Sequence, residues 1–157
     1  MAFVFNITLL NYKELKKRIK KNEGYKNSFY LDSLGNPTIG YGHLIKKREK
    51  YLLKNKYSRI FLNKIFEEDF KIAKLAYQKA YGKAKHSQKI KELLIEMIFQ
   101  LGIKGQKKFK KMNFHISKNN PFMTSLEMKN SLWYSQTPKR VDKLIEILLS
   151  KEYEKRI

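Results

Sequence analysis

Apolar residues recur along most of the chain at the three- and four-residue intervals of an α-helix, and in one short stretch at the two-residue interval of a strand. Tyr12, Leu15 and Ile19 open the first helical stripe, behind Asn11 as a capping residue with Glu14 three positions on. At about 100° per residue, Glu23 returns to within roughly 20° of Tyr12, so this carboxylate sits on the apolar stripe of an otherwise lysine-rich helix that Gly24 ends. Phe29 to Asp32 is β-prone, Ser33 to Pro37 is turn-rich, and Thr38 to His43 alternates strictly. That pattern predicts a short hairpin with Thr38, Gly40 and Gly42 on a nearly bare face, and Ile39, Tyr41 and His43 on the other.

Helical periods resume downstream. Residues 45–56 predict a short basic helix, and Ser58 caps a long one running to about Tyr81, with Phe61, Ile65, Phe66, Ile72, Leu75 and Ala76 as its stripe and Gly82 as its end. Ser87 caps a helix over 88–101, whose Leu93, Leu94, Met97, Ile98 and Leu101 mark the centre of a core before Gly102 and Gly105 break it. Further helices are expected near 105–112 and 121–130, the second with Asn120 as cap and Pro121 in its first position. Thr137 and Pro138 repeat that device ahead of Val141, Leu144, Ile145, Leu148 and Leu149. The expected fold is mainly α with one small sheet, in a single domain over 1–157. Its parts are an N-terminal lobe of about 12–60, a connecting helix of about 58–81 and a helical C-terminal lobe of about 82–157.

At 157 residues the chain can bury a core without staples, and with no cysteine it can fold in a reducing compartment. Met1 to Leu10 is apolar but lacks a basic leader and a small-residue cleavage site, and it is too short to span a bilayer. It is expected to pack on the body as an extension; the other reading is a membrane tether. Thirty-five basic against fourteen acidic residues give a formal charge of +21, which implies a polyanionic partner. Nucleic acid is the usual first candidate, yet no helix-turn-helix, zinc-finger spacing or aromatic RNA-binding signature accompanies the charge. A bacterial envelope is polyanionic too, and most individual lysines read equally well as a solvated face.

Three polar groups between 23 and 43 look placed for chemistry: Glu23, Asp32 and Thr38. Two carboxylates beside an open strand face suit glycoside hydrolysis, in which one acid protonates the leaving oxygen and the other stabilises positive charge or activates water. Glu23 fits the acid, because a half-buried place on an apolar stripe helps a carboxyl keep its proton, and Asp32 beside a polar turn fits the ionised partner. The bland alternatives are a helix-end ion pair for Glu23 and ordinary turn and strand positions for Asp32 and Thr38. His86 and His115 have no companions at ligand spacing, so neither a metal nor any other cofactor is expected. GxSxG elbows, phosphate-cradling loops and HExxH helices do not occur.

Glu23-Gly24, Asp32, Thr38 and Gly40-Tyr41-Gly42-His43-Leu44 resemble the catalytic segment of the phage-type lysozymes, glycoside hydrolase family 24, with the Glu, Asp and Thr spacings matching without a gap. The likeness returns at Phe66 and Asp69, at Met97 to Gly102 and at Trp133 to Arg140, so it covers about residues 12–157. It implies a lysozyme-like α+β fold and an inverting muramidase, with Glu23 as general acid, Asp32 as base or charge stabiliser and Thr38 holding water. It also implies His43 paired with Asp69, Phe99 and Leu44 lining the cleft, and Arg140 near Glu23. The transglycosylase branch lacks the helper Asp and Thr, so their presence favours hydrolysis. Glu96, Met112 and Glu127 depart from the family pattern at positions expected to shape sugar subsites. The implied role is that of a monomeric phage or prophage endolysin acting on peptidoglycan, held in the host cytoplasm before lysis and then reaching the periplasm and cell wall. A cationic envelope-binding or membrane-active module is the alternative.

Overall fold

The computed structural model describes residues 12–151, so the Asn11 cap and the Met1 to Leu10 extension lie outside the described residues. Within them the elements run α1 (Lys13–Glu23), β1 (Lys26–Leu31), β2 (Pro37–Gly40), β3 (His43–Leu44), α2 (Arg59–Tyr81), α3 (Gln88–Lys107), α4 (Lys110–Ser117), α5 (Pro121–Lys129), α6 (Leu132–Gln136) and α7 (Pro138–Leu149). A 3₁₀ segment, Lys47–Leu53, stands where the basic α-helix over 45–56 was expected. The architecture is mainly α with a small antiparallel sheet, the class that the periodicities predict.

The sheet departs from a two-stranded hairpin. Its strands lie in the order β1-β2-β3, because the stretch from Thr38 to His43 folds back on itself at Tyr41 and Gly42. Gly40 and Gly42 adopt φ of 66° and 78°, left-handed conformations that cost glycine little. The strict alternation therefore fails, and the two glycines look different ways: a side chain at Gly40 would meet Leu62, whereas one at Gly42 would meet Glu23. Nor is the Thr38 face bare. Tyr30 lies opposite Thr38, which lies opposite Leu44, and residues directly opposite share a face.

Two apolar clusters divide the interior. The smaller joins Ile39, Ile45, Leu52 and Leu62 under the sheet, and the larger gathers α3, α7 and parts of α1, α2, α4 and α5 around Trp133. α2 serves both, with Leu62 in the first and Phe66, Phe70, Ala73 and Tyr77 in the second. Its buried stripe is thus shifted from the expected one, leaving Ile72 and Leu75 exposed. Leu15 and Ile19 are fully buried in the larger cluster, so α1 leans on the C-terminal helices.

Every residue from Glu92 to Ile98 is buried, because α3 packs against α1, α2, α4 and α7. A helix covered on all sides is ordinarily apolar on all sides. Glu92 and Glu96, one turn apart, break that rule and need partners inside the protein.

Helix starts follow the expected caps at three places: Ser58, Ser87 and Asn120 accept from the backbone N–H of Phe61, Ile90 and Met123 at 3.2, 3.4 and 3.0 Å. Thr137 behaves otherwise, its hydroxyl donating back to the Trp133 carbonyl at 3.1 Å as it closes α6, a short helix the periodicity did not show. α3 does not stop at Leu101 but kinks at Gly102 and runs on to Lys107, which moves the next helix to Lys110–Ser117 instead of 105–112. Gly102 has φ 69° and ψ 165°, a region essentially reserved for glycine. A methyl there would touch nothing, so Gly102→Ala isolates backbone strain and should lower unfolding stability by about 1–3 kcal/mol in urea titrations.

Candidate active site

Glu23 closes α1, and Gly24, at φ 72°, lets the chain turn away into β1. The Glu23 carboxyl is gripped from two sides. Arg140 Nη1 on α7 donates to its Oε1 at 2.8 Å, and on the opposite side a Cβ placed on Gly42 would lie 2.8 Å from Oε2. Glycine at 42 is what leaves room for the acid. The side chain is 20% exposed, so it faces neither bulk water nor the apolar surround expected from its stripe: its partner is a guanidinium.

Asp32 sits at the mouth of the β1–β2 loop. Its Oδ1 accepts from the N–H groups of Asn36 and Leu34 at 2.8 and 2.9 Å, and its Oδ2 accepts from Asn36 Nδ2 at 3.1 Å. The backbone N–H of Asn36, helped by the Asn36 amide and the Leu34 N–H, outweighs partial burial and holds this carboxyl below the usual carboxylate range. The Thr38 hydroxyl donates to the Asn36 carbonyl at 3.1 Å, and the Asp32 N–H donates to the same oxygen at 2.9 Å. Asn36 therefore ties Asp32 to Thr38, a role that its place in a turn-rich run did not disclose. Thr38 is 4% exposed, more enclosed than an open strand face would leave it.

Tyr30 belongs to the same neighbourhood. Burial first, and then the negative charges of Glu23 and Asp32, push its phenol up from the ordinary tyrosine value. Both carboxylates thus act on one ring, and that ring stands opposite Thr38 in the sheet. Glu23 and Asp32 thus share Tyr30 as a neighbour, and Tyr30 pairs with Thr38 on the central strand.

Leu44 and Phe99 line a common pocket between β3 and the helices α2 and α3, together with Gly42, His43, Asp69 and the exposed Ile72. Phe99 rests on Phe66, with ring centroids 5.5 Å apart, while Leu44 is half-exposed. Among the described residues, no cluster of three or more His, Asp or Glu is arranged to hold a metal ion.

His43 holds the two sides of this pocket together. Its Nδ1 lies 2.7 Å from Asp69 Oδ2 on α2, and its Nε2 lies 3.2 Å from Glu49 Oε2 in the 3₁₀ segment. A ring nitrogen facing a carboxylate must carry a proton to bond it, and here both do, which suits the imidazolium. Burial pulls the imidazole down, but the hydrogen bonds and charges of Asp69 and Glu49 outweigh it and leave the group above its ordinary value.

Behind the acid lies a charge cluster. Glu96 is 0% exposed, and its Oε1 accepts from Asn22 Nδ2 at 2.9 Å and from Arg140 Nε at 3.0 Å, while its Oε2 accepts from Arg18 Nε at 2.8 Å. Glu92 adds an ion pair to Arg18 Nη2 at 3.6 Å. Glu96 is therefore an internal counter-ion and not a sugar-subsite residue. Met112 is likewise removed from the subsites, being 1% exposed within the larger cluster. No spacing rule points from Arg18 and Asn22 to a carboxylate on α3, and the signal that was present was the pair of acids in an apolar helix.

The phage lysozyme family profile matches residues 20–146, a span that holds Glu23, Asp32, Thr38, His43, Asp69, Phe99 and Arg140. The chain belongs to the phage lysozyme family. Among its relatives are two proteins of Dictyostelium discoideum, named probable T4-type lysozymes 2 and 1. They are 30% and 29% identical, over 89% and 85% of this chain and 98% and 92% of their own lengths. Family membership makes the chain a lysozyme-type glycosidase.

In this phage lysozyme family member the raised imidazole has a consequence for stability. A group whose folded value lies above its unfolded one stabilises in full below about pH 6.5, the unfolded histidine value, and loses that contribution as pH rises through the folded value. Asp69→Asn should therefore depress the melting temperature more at about pH 5.5 than at about pH 9. An equal penalty at both would show that His43 is neutral throughout.

Proposed function

We propose that the protein is a muramidase that hydrolyses the β-1,4 bond between N-acetylmuramic acid and N-acetylglucosamine in peptidoglycan. The observation that carries this reading is the two-sided seat of Glu23. Arg140 fixes Oε1, the glycine at 42 leaves room for the other oxygen, and Tyr30, on which both Glu23 and Asp32 act, pairs with Thr38. Glu23 gives a proton to the bridging oxygen as the bond to the sugar breaks. Asp32, kept ionised by its three N–H donors, accepts a proton from water as that water attacks the anomeric carbon. Thr38 helps to hold the water, and Leu44 and Phe99 give the sugars an apolar wall. Inversion at that carbon requires room for the water, with the carboxyls about 6.5–9.5 Å apart.

Removing the acid separates catalysis from folding. Glu23→Gln should cut reducing-end release from purified peptidoglycan by about 10²–10⁴-fold with the circular dichroism spectrum unchanged. Near-wild-type release would remove Glu23 from the acid role. Proton NMR of the first products should show the α-anomer, and anhydro-muramic ends in their place would mean transglycosylation.

The charge supports a second element of the same proposal, adhesion to an anionic envelope. Lys17 and Lys21 on α1 face Lys139 and Lys143 on α7 across one groove, in which Glu14 is the acidic rim residue. The rows repeat at four-residue intervals, about 6 Å along each helix, a spacing suited to a phosphate polymer. We propose that a phage-encoded lysozyme of this charge waits in the host cytoplasm and clings to the wall once released. Adsorption of the Glu23→Gln protein to cell walls should fall steeply between about 0.1 and 1 M salt, as the screening length shrinks from about 10 to 3 Å. Clearing by the Glu23→Gln protein that is equally salt-sensitive would favour membrane disruption over hydrolysis.

A further inference from the structure

A fully buried carboxylate is costly, and it persists where its charge is matched and does work that an apolar side chain could not. Glu96 fits that description. It lies on an α3 segment otherwise apolar from Leu93 to Ile98, and it does not line the Leu44 and Phe99 pocket. Its oxygens are filled by Arg18, Asn22 and Arg140, and Arg140 continues to the candidate acid. Charges alternate along the line: Arg18 positive, Glu96 negative, Arg140 positive, Glu23 negative.

Arg140 divides its fork between two carboxylates, Nε to Glu96 at 3.0 Å and Nη1 to Glu23 at 2.8 Å. The first bond sets the plane of the guanidinium and so the direction of the second. It also shares the charge. Without the Glu96 carboxylate, the whole charge of the buried guanidinium would bear on Glu23.

We propose that Glu96 is a positioning residue for glycosidic cleavage, acting through Arg140 to aim Glu23 and to limit the positive charge that Glu23 meets. The inference rests on the acid role of Glu23 proposed above. Groups facing the cluster are Arg18 and Asn22 on α1, Glu92 on α3, Lys139 and Lys143 beside Arg140 on α7, and Tyr30 on β1.

The test is a pH series of reducing-end release by wild type, Glu96→Gln, the charge-balanced pair Glu96→Gln with Arg18→Met, and Gln106→Ala. Gln106 is equally buried, and it bonds Tyr81 and Asn113 in a network separate from Glu23, so it controls for loss of stability alone. Both Glu96 variants should lose kcat by up to about a hundredfold, as a displaced catalytic group does, with apparent KM nearly unchanged. The alkaline limb of their pH profile should move down by about one unit, while Gln106→Ala keeps the wild-type profile. The paired variant removes one charge of each sign, which preserves folding if the single change does not. Wild-type kcat and profile in a folded Glu96 variant would overturn the inference, as would the same change in Gln106→Ala. Failure of the parent reading looks different, since there wild type releases no reducing ends or Glu23→Gln retains full activity.

Discussion

An ion cluster centred on a carboxylate that water cannot reach governs the geometry of this protein. The Glu96 carboxyl is accommodated in the interior because Arg18, Asn22 and Arg140 converge on it, and each comes from α1 or α7, at opposite ends of the described chain. Removing one partner from such a pair ordinarily costs about 3–5 kcal/mol, because the charge left behind has nowhere to go. The cluster therefore acts as a positional constraint as much as a source of stability. It permits α1 one docking register on α3, and the last residue of α1 in that register is Glu23.

The apolar interior carries the rest of the arrangement. α2 belongs to both clusters, so the sheet is tied to the helical body through a single rigid rod as well as through the imidazole bridge at His43. The pocket beside Gly42 is walled by the larger cluster on one side and by β3 on the other. Ile72, like Leu75, is an apolar residue that α2 leaves exposed, and it forms part of the apolar rim of this pocket with Leu44. At the far end of the site, the Asp32 loop is built wholly from local bonds. Its carboxylate is organised by residues two and four positions on and needs nothing from the body of the protein.

The sequence disclosed what depends on neighbours along the chain. Caps at Ser58, Ser87 and Asn120, the stop at Gly24 and the spacing of Glu23, Asp32 and Thr38 are local signals, and each was readable. What escaped depends on distant partners or on backbone freedom. Strict alternation from Thr38 to His43 suggested one strand, but two glycines at positive φ bend it into two, and no hydropathy pattern records a φ angle. Glu96 looked like a subsite residue because it departs from the family pattern, and a departure of that kind does not say which distant partners receive the carboxylate. The stripe of α2 was misplaced for a similar reason: Ile72 and Leu75 are as apolar as Phe70 and Ala73, and only the packing decides between them.

The bond from Arg140 to Glu23 closes a gap of 117 positions along the chain. During synthesis the carboxylate leaves the ribosome early, and the guanidinium that seats it follows only with the last described helix. Until that helix docks, the first acid has neither its orienting partner nor the buried counter-ion arranged behind it. The site is thus assembled only once α7 has docked, and a nascent fragment that already contains Glu23, Asp32 and Thr38 but not α7 lacks the means to aim them.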